Sequence, residues 1–344
     1  MHGLGQTQVG LWKLPSASLF QDFSRDLAKS LQHDYIKATV TNVTQSPNKD
    51  EGYTVWLSDG AQIHATSVVL ALGQSGAPVI PNKLKDVPQT RLLSWHEMRD
   101  TLQPEHKSIL VVGGGLTAVQ TAQFCLRKGK KVVLCSRRPL VERHFDIEEC
   151  WFDKRTANKH ISEFYHQDES ERLRQLREVR GGGSVPPIYM DDLRKWQRDG
   201  RLTLASKMEP EFVSQHENGA VLISLGGEIF EFDCVIVACG IEANCLRNPL
   251  IQKIHDNFPI RIAGGYPSIS VDLEWAKHLF VVGALAGLNV GPDSANIMGA
   301  RRGASIVATE LECKSWLRDE DGALANKFMA LAYSDEDDSS SDSE

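Results

Sequence analysis

Apolar runs of strand length, each closed by glycine, punctuate the chain. Val68–Leu72 runs into Gly73, Ile109–Val112 into Gly113, Cys234–Cys239 into Gly240 and Leu279–Val282 into Gly283. Short continuous apolar runs bounded by turn residues predict buried strands. Residues 16–32 carry Leu19, Phe20, Phe23, Leu27 and Leu31 at helical spacing and predict an amphipathic helix. Residues 36–44 and 52–58 predict strands, and Asp59-Gly60 turns the chain into 61–64, closing a small meander. Gly76, Pro78 and Pro81 mark a turn-rich exit from the 65–73 strand, and 94–103 reads as a short helix. Residues 139–200 are less regular, with Trp151-Phe152, a charged helix near 168–180, a glycine loop at 181–187 and a helix near 189–199. Short strands follow at 201–205, 211–216, 220–225 and 228–232, and Gly287, Gly291 and Pro292 lead into a small-residue helix at 293–310. No short-period repeat runs through the chain.

The run at 109–112 continues as G-x-G-x-x-A, then a helical pattern (Ala118, Ala122, Cys125, Leu126), then a second strand at 131–135. That order is the phosphate-binding turn of a dinucleotide-binding βαβ unit. Gly113 lets the backbone leave the strand sharply, Gly115 leaves room for a pyrophosphate, and Ala118 lets helix and strand pack closely. The unpaired amides at the helix start, around Gly114, Leu116 and Thr117, favour phosphate. The second strand ends in Ser136-Arg137-Arg138, where NAD-binding units carry a carboxylate for the ribose hydroxyls. Two guanidinium groups and a hydroxyl suit a 2′-phosphate, so NADPH is expected over NADH. The other reading leaves Arg137 and Arg138 as solvated loop cations.

With 344 residues, 41% apolar and 24% charged, the composition is that of a soluble globular protein of one large or two medium domains. No apolar stretch approaches membrane-spanning length, and Met1–Trp12 lacks the basic-then-apolar pattern of a secretory signal. The seven cysteines are odd in number and dispersed, with Cys135 and Cys234 inside apolar strands; a reducing compartment, the cytoplasm, is expected. The net charge of −7 sits mostly in the tail Ser334–Glu344, which holds six carboxylates and no cation. Such a tail is expected to be disordered, and is either simply solvated, phosphorylated or docked on a basic partner. No basic stripe with interleaved aromatics appears, so a nucleic-acid partner is not expected.

Other chemistry is poorly represented. Cys234 and Cys239 have four residues between them in an extended pattern, too far apart for a redox disulfide. His144, His160 and His166 lack metal-ligand spacing, His216 and His255 have no evident partner, and no G-x-S-x-G elbow occurs. No metal site and no general acid or base is assigned. The loop at 181–187, three glycines and then Ser184-Val185-Pro186-Pro187, could cap a nicotinamide, line a substrate site or simply connect two helices.

These pieces in this order resemble the pyridine-nucleotide-linked flavoproteins with two dinucleotide-binding domains. The likeness covers roughly residues 12–312. Within that superfamily the chain looks similar to FAD/NAD(P)-binding proteins related to lysine and ornithine N-hydroxylases. The matching segments are 111–122, 180–187, 196–202 and the C-terminal LFVVGALAGLNVGPDSANIMGARRGA. The resemblance implies an α/β fold in which a Rossmann-like NADPH domain is inserted in an FAD-binding three-layer domain. The chain would cross between the two at Val68–Gly73 and Val235–Gly240. It further implies that Gly283, Gly291, Pro292 and Asn296 lie along the flavin, where the last helix start can stabilise negative charge. Two departures stand out. The superfamily opens with a strand, a G-x-G-x-x-G turn and an acidic strand end for the ADP half of FAD, whereas Met1–Gly5 has glycines without a preceding strand. An N-terminally shortened member, with an incomplete FAD domain, is therefore expected. Ala284 also stands where many members place a ribityl-binding aspartate.

The expected organisation is an FAD-domain remnant with its meander at 1–107, an NADPH domain at 108–232, a return of the FAD domain at 233–315 and the acidic tail at 316–344. The resemblance implies an FAD- and NADPH-dependent oxidoreductase, monooxygenase-like, acting on a small nitrogenous molecule. The alternatives are a reductase of a quinone or other acceptor, and a non-catalytic NADP-binding or regulatory form.

Overall fold

The computed structural model describes residues 17–316, apart from 32, 47–51, 75, 154, 180–181 and 259. Met1–Gly5, Gly181 and the acidic tail beyond 316 thus lie outside the described residues.

β6 (Ser108–Val112), α3 (Leu116–Arg127) and β7 (Lys131–Ser136) form the βαβ unit that the glycine turn predicts. Around it stands a five-stranded sheet ordered β5 (Leu92–Ser94), β12 (Cys234–Val237), β6, β7 and β8 (Leu202–Ser206), with every pair parallel. Burial on both faces explains why these strands read as continuous apolar runs. Ile109, Val111, Cys234 and Ile236 pack with Ala118, Ala122 and Leu126 of α3 and with Leu193 of α6 (Pro187–Arg198). Their neighbours Leu110, Val112, Val235 and Val237 face the other way. That second face is covered by an antiparallel sheet of β9 (Glu211–Gln215), β10 (Val221–Leu225) and β11 (Glu228–Phe232), through Val221, Ile223, Leu225 and Phe232.

Residues 233–240 therefore belong to the nucleotide unit and not to the C-terminal return. The expected break at 232/233 falls instead beyond β12, because Cys234–Val237 completes the parallel sheet between β5 and β6.

The second body combines a meander, β1 (Val40–Gln45), β2 (Tyr53–Leu57) and β3 (Gln62–Ala65), with a small sheet. That sheet is ordered β15 (Glu274–Ala276), β16 (Leu279–Val281) and β4 (Val68–Leu70), with β16 and β4 parallel. Val43, Tyr53, Leu70, Trp275, Leu279 and Val281 share its core with Ile251 and Ile254 of α7 (Pro249–Asn257). α7 escaped sequence reading, although Asn248-Pro249 is a start signal: the Asn248 side chain accepts from the amides of Leu250 and Ile251. A two-residue ladder, β13 (Ile262–Ala263) with β14 (Tyr266–Pro267), completes this body.

The bodies meet where the chain crosses twice. Val79 N donates to Gly240 O at 3.0 Å and Glu242 N to Ala77 O at 2.9 Å, so the crossing segments pair antiparallel. A Cβ on Gly76 would stand 2.4 Å from Glu242 O, which is why glycine occupies this crossing. A third tie comes from the insert between β7 and β8, which holds α4 (Ala157–Tyr165), α5 (Glu169–Val179) and α6. On α5, Glu169 bonds Arg261 and Ser268, and Arg177 donates to Gly264 O.

The helix expected at 293–310 starts later, at Ile297. α8 (Gly287–Val290) ends at Gly291, with φ +109°, and a 3-10 turn at Pro292–Ala295 precedes α9 (Ile297–Trp316). Pro292 supplies no amide to continue a ladder. Asp293 turns inward, fully buried, and its carboxylate takes two bonds from Arg302, at 2.8 and 3.0 Å. The helix expected at 94–103 shrinks to α2 (Met98–Thr101). α1 (Ala17–Ser30) forms as the periodicity predicts, yet its apolar side chains stay in solvent: Leu19 is 61% and Phe23 60% exposed.

One staple at the base of β6 sets a pH dependence. Asp233 Oδ2 accepts from the amides of Lys107 and Ser108, and Arg91 donates to Asp233 O and to His106 Nε2. His106 is buried, and burial first, then the Arg91 charge, hold its imidazole below the usual value; Asp233 and Glu105 pull the other way and Lys130 adds to the lowering. A histidine kept neutral in the fold stabilises the protein above its unfolded-state pKa, and that contribution fades as the pH falls through it. The melting temperature should drop on going from about pH 7.5 to about pH 5, less steeply in His106→Gln, which keeps an acceptor for Arg91. Equal slopes for the two proteins would remove His106 as a source of acid sensitivity.

Candidate functional site

A cleft of about 1090 Å³ opens at the C-terminal ends of β12, β6, β7 and β8. In open parallel sheets ligands bind there, at the point where strand order reverses, here between β6 and β12. Of the residues expected at the nucleotide, Gly113, Gly114, Gly115, Leu116, Thr117, Ser136, Arg137, Arg138 and Gly240 line it. Ala118 lies beneath the turn, fully buried. Gly73, with φ +65°, stands beside Gln74, which lines the cleft at the crossing. Gly283, Gly291, Pro292 and Asn296 are not among its lining residues; they sit in the C-terminal body.

The turn shows why its residues are small. A Cβ on Gly113, where φ is +151°, would be 2.3 Å from Ala238 O and 2.9 Å from the Ala118 Cβ. Gly115 begins α3 without any side-chain cap, so the first amides of the helix remain available to an anion. Its Cα does not face open space, however. It faces Gly183 of the insert, 3.7 Å from where a Gly115 Cβ would be.

The charges agree with an anionic ligand. Arg137, Arg138 and Arg143 line the cleft, and none has a carboxylate partner among the described residues. Ser136 differs from expectation: it is buried and its hydroxyl donates to Arg138 O at 2.7 Å. Its proton shapes the turn, which leaves the guanidinium groups as the donors for a phosphate.

Two thiols, Cys135 and Cys239, also line the cleft. Burial pushes Cys135 up to about 11 and raises Cys239 as well, so neither is a thiolate near neutral pH. All seven cysteines are free. Among the described residues there is no cluster of metal-ligating side chains, and no helix is long and apolar enough to cross a membrane.

Sequence reading missed Gln74, Trp95, Arg143 and His144 as lining residues. They come from loops that carry no motif, and only the glycine triplet at 181–183 signalled that the insert approaches something.

Comparison with known proteins supports the fold. Residues 11–162 match the family model described as pyridine nucleotide-disulphide oxidoreductase. No curated protein matches the sequence. Among solved structures, the Kutzneria sp. 744 ornithine N-hydroxylase, determined with reduced FAD, NADP+ and L-ornithine, is similar with a TM-score of 0.69 at 16% identity, covering 87% of this chain and 78% of its own. The L-lysine 6-monooxygenase of Pseudomonas syringae gives 0.66 at 18% identity, over 87% and 77%. The FAD-bound cadaverine monooxygenase of desferrioxamine biosynthesis from Erwinia amylovora gives 0.63 at 16%, over 84% and 72%. The family match over 11–162, the parallel sheet and its glycine turn together make the chain similar in fold to FAD/NAD(P)-binding oxidoreductases.

Proposed function

We propose that the chain is an NADPH-using, FAD-dependent oxidoreductase of monooxygenase type. The observation that carries this reading is the cleft, in which uncapped helix amides and three guanidinium groups without a carboxylate partner among the described residues surround a glycine turn. A nucleotide with its diphosphate at the start of α3 would reach Arg137 and Arg138 with its 2′-phosphate. Its nicotinamide would extend along β12 toward Gly240, Gln74 and Trp95, the end nearest the second body.

The residues present fit the nicotinamide nucleotide throughout. For a flavin the second body offers the open end of β16, where Gly283 has φ +71° and nothing within 4 Å of a Cβ, and the start of α9 near Asn296. Among the described residues the G-x-G-x-x-A turn between strand and helix occurs once, at the nicotinamide nucleotide, so they would supply the flavin end of an FAD site without a second diphosphate turn of that kind. A flavin, when bound, supplies hydride acceptance and oxygen activation. The chain's own part is to hold the diphosphate, to read the 2′-phosphate, and to line the nicotinamide end with the apolar side chains of Val79, Pro81, Trp95 and Ile241. The neighbours named for lysine, ornithine and cadaverine support a small amine as substrate. The seven free thiols fit a cytoplasmic setting, and the acidic tail is proposed as a phosphorylation or partner-docking segment.

The test is NADPH oxidation by the purified chain with FAD, followed alongside oxygen uptake and hydroxylated product over a panel of primary amines. The expected result is NADPH and oxygen consumed together, with product in proportion. Oxidation that needs a quinone or dye and no oxygen would make the protein a reductase. Nucleotide binding without turnover under any acceptor would leave a non-catalytic binding protein.

A further inference from the structure

The insert between β7 and β8 folds back across the nucleotide turn. Val185 N donates to Val141 O at 2.8 Å and Arg143 N to Val185 O at 3.0 Å, a parallel bridge that joins segment 141–143 to loop 182–186. Ser184 Oγ donates to Phe145 O at 3.0 Å, and Arg194 of α6 holds Glu142 at 2.6 Å. Arg143 and the glycine loop are therefore one braced unit.

That unit is pressed against the phosphate turn. A Cβ on Gly183 would stand 3.0 Å from Gly115 Cα, and one on Gly182 3.2 Å from a guanidinium nitrogen of Arg138. Both glycines have positive φ, +108° at Gly182 and +70° at Gly183, so L side chains are disfavoured by conformation as well as by space. The amides of Gly183 and Ser184 donate to no acceptor among the described residues, and the Arg143 side chain has no carboxylate partner there. Gly182, Gly183, Ser184 and Arg143 all line the cleft. Successive free amides beside an unpaired cation form an anion-binding concavity.

We propose that Arg143 and Gly182–Ser184 form a second wall of the dinucleotide site, adjoining the glycine turn, and hold the diphosphate together with the α3 amides. This rests on the nucleotide reading of the cleft. The diphosphate would then lie along the seam where the insert touches the Rossmann turn, with Arg137 and Arg138 reading the 2′-phosphate at one end. The wall is indifferent to the 2′-phosphate, which separates its role from that of Arg137 and Arg138.

The test is calorimetric titration of NADPH and NADH into wild type, Arg143→Ala and Gly183→Ala, with folding checked by circular dichroism. Arg143→Ala, an exposed change that does not threaten the fold, should weaken both nucleotides by the same factor, roughly tenfold. Gly183→Ala should also weaken both alike by displacing the loop from Gly115. Hydrogen exchange at 182–185 should slow on adding NADPH to wild type. Unchanged affinities in Arg143→Ala, with wild type binding normally, would overturn the wall and leave the function standing. Tighter binding in Gly183→Ala would also overturn it, by showing that the loop obstructs the site. A wild type that binds neither nucleotide would overturn the reading of the cleft and the wall with it.

Discussion

Arg302→Met should be among the most damaging single substitutions in the C-terminal body, lowering the unfolding free energy by roughly 3–5 kcal/mol in a denaturant titration. The Asp293 carboxylate is fully buried and takes two bonds from Arg302, which also donates to Val290 O at 2.9 Å. Removing the arginine strands a buried charge and frees a carbonyl at the end of α8. Asp293→Leu alone should cost less, because Arg302 is already 27% exposed and can rehydrate. The pair Asp293→Leu with Arg302→Met should recover much of the loss, since apolar replacement of a buried pair is often close to neutral. A double variant as unstable as Arg302→Met would mean that packing, and not the charge, fixes this segment.

The largest functional effect is expected from Arg137→Ala combined with Arg138→Ala. Both guanidinium groups line the cleft without a carboxylate partner among the described residues, at the end of β7 where the proposed nucleotide would place its ribose. Bonds to a charged phosphate are strong individually, but both side chains are exposed and solvent competes, so the expected loss of NADPH affinity is roughly a hundredfold. NADH, which lacks the 2′-phosphate, should change by no more than about threefold. Equal loss for the two nucleotides would mean that these arginines do not discriminate between them.

The nucleotide unit was the most legible part of the chain because its physics is local. Ile109–Val112, the turn at 113–118 and the strand at 131–136 lie within one short stretch, and their burial on both faces writes an unbroken apolar run. What sequence could not show was partnership across distance. Cys234–Val237 looked like the other glycine-ended strands, and only pairing with β5 and β6 assigns it to this sheet. Asp293 read as a helical residue, whereas it lies in the 3-10 turn before α9 and its partner Arg302 lies nine positions on, inside that helix. For α1 the periodicity identified the helix but not its surroundings, since an amphipathic pattern states which face is apolar and not what covers it. In the cleft, Ser136 was assigned to the ligand by residue type, whereas its proton is already committed to Arg138 O.

The grip of α5 on Arg261, Gly264 and Ser268 bears on how the two bodies communicate. Two crossing segments alone would act as an axle, leaving the nucleotide unit free to swivel. A third attachment, away from that axle, converts it into a tripod with a set spacing. Under the proposed function, electron delivery across the crossing would rely on a fixed separation and not on a swing of one body against the other. Force applied to the insert by an occupied cleft would pass directly into the segment that leads to Gly283 and α9.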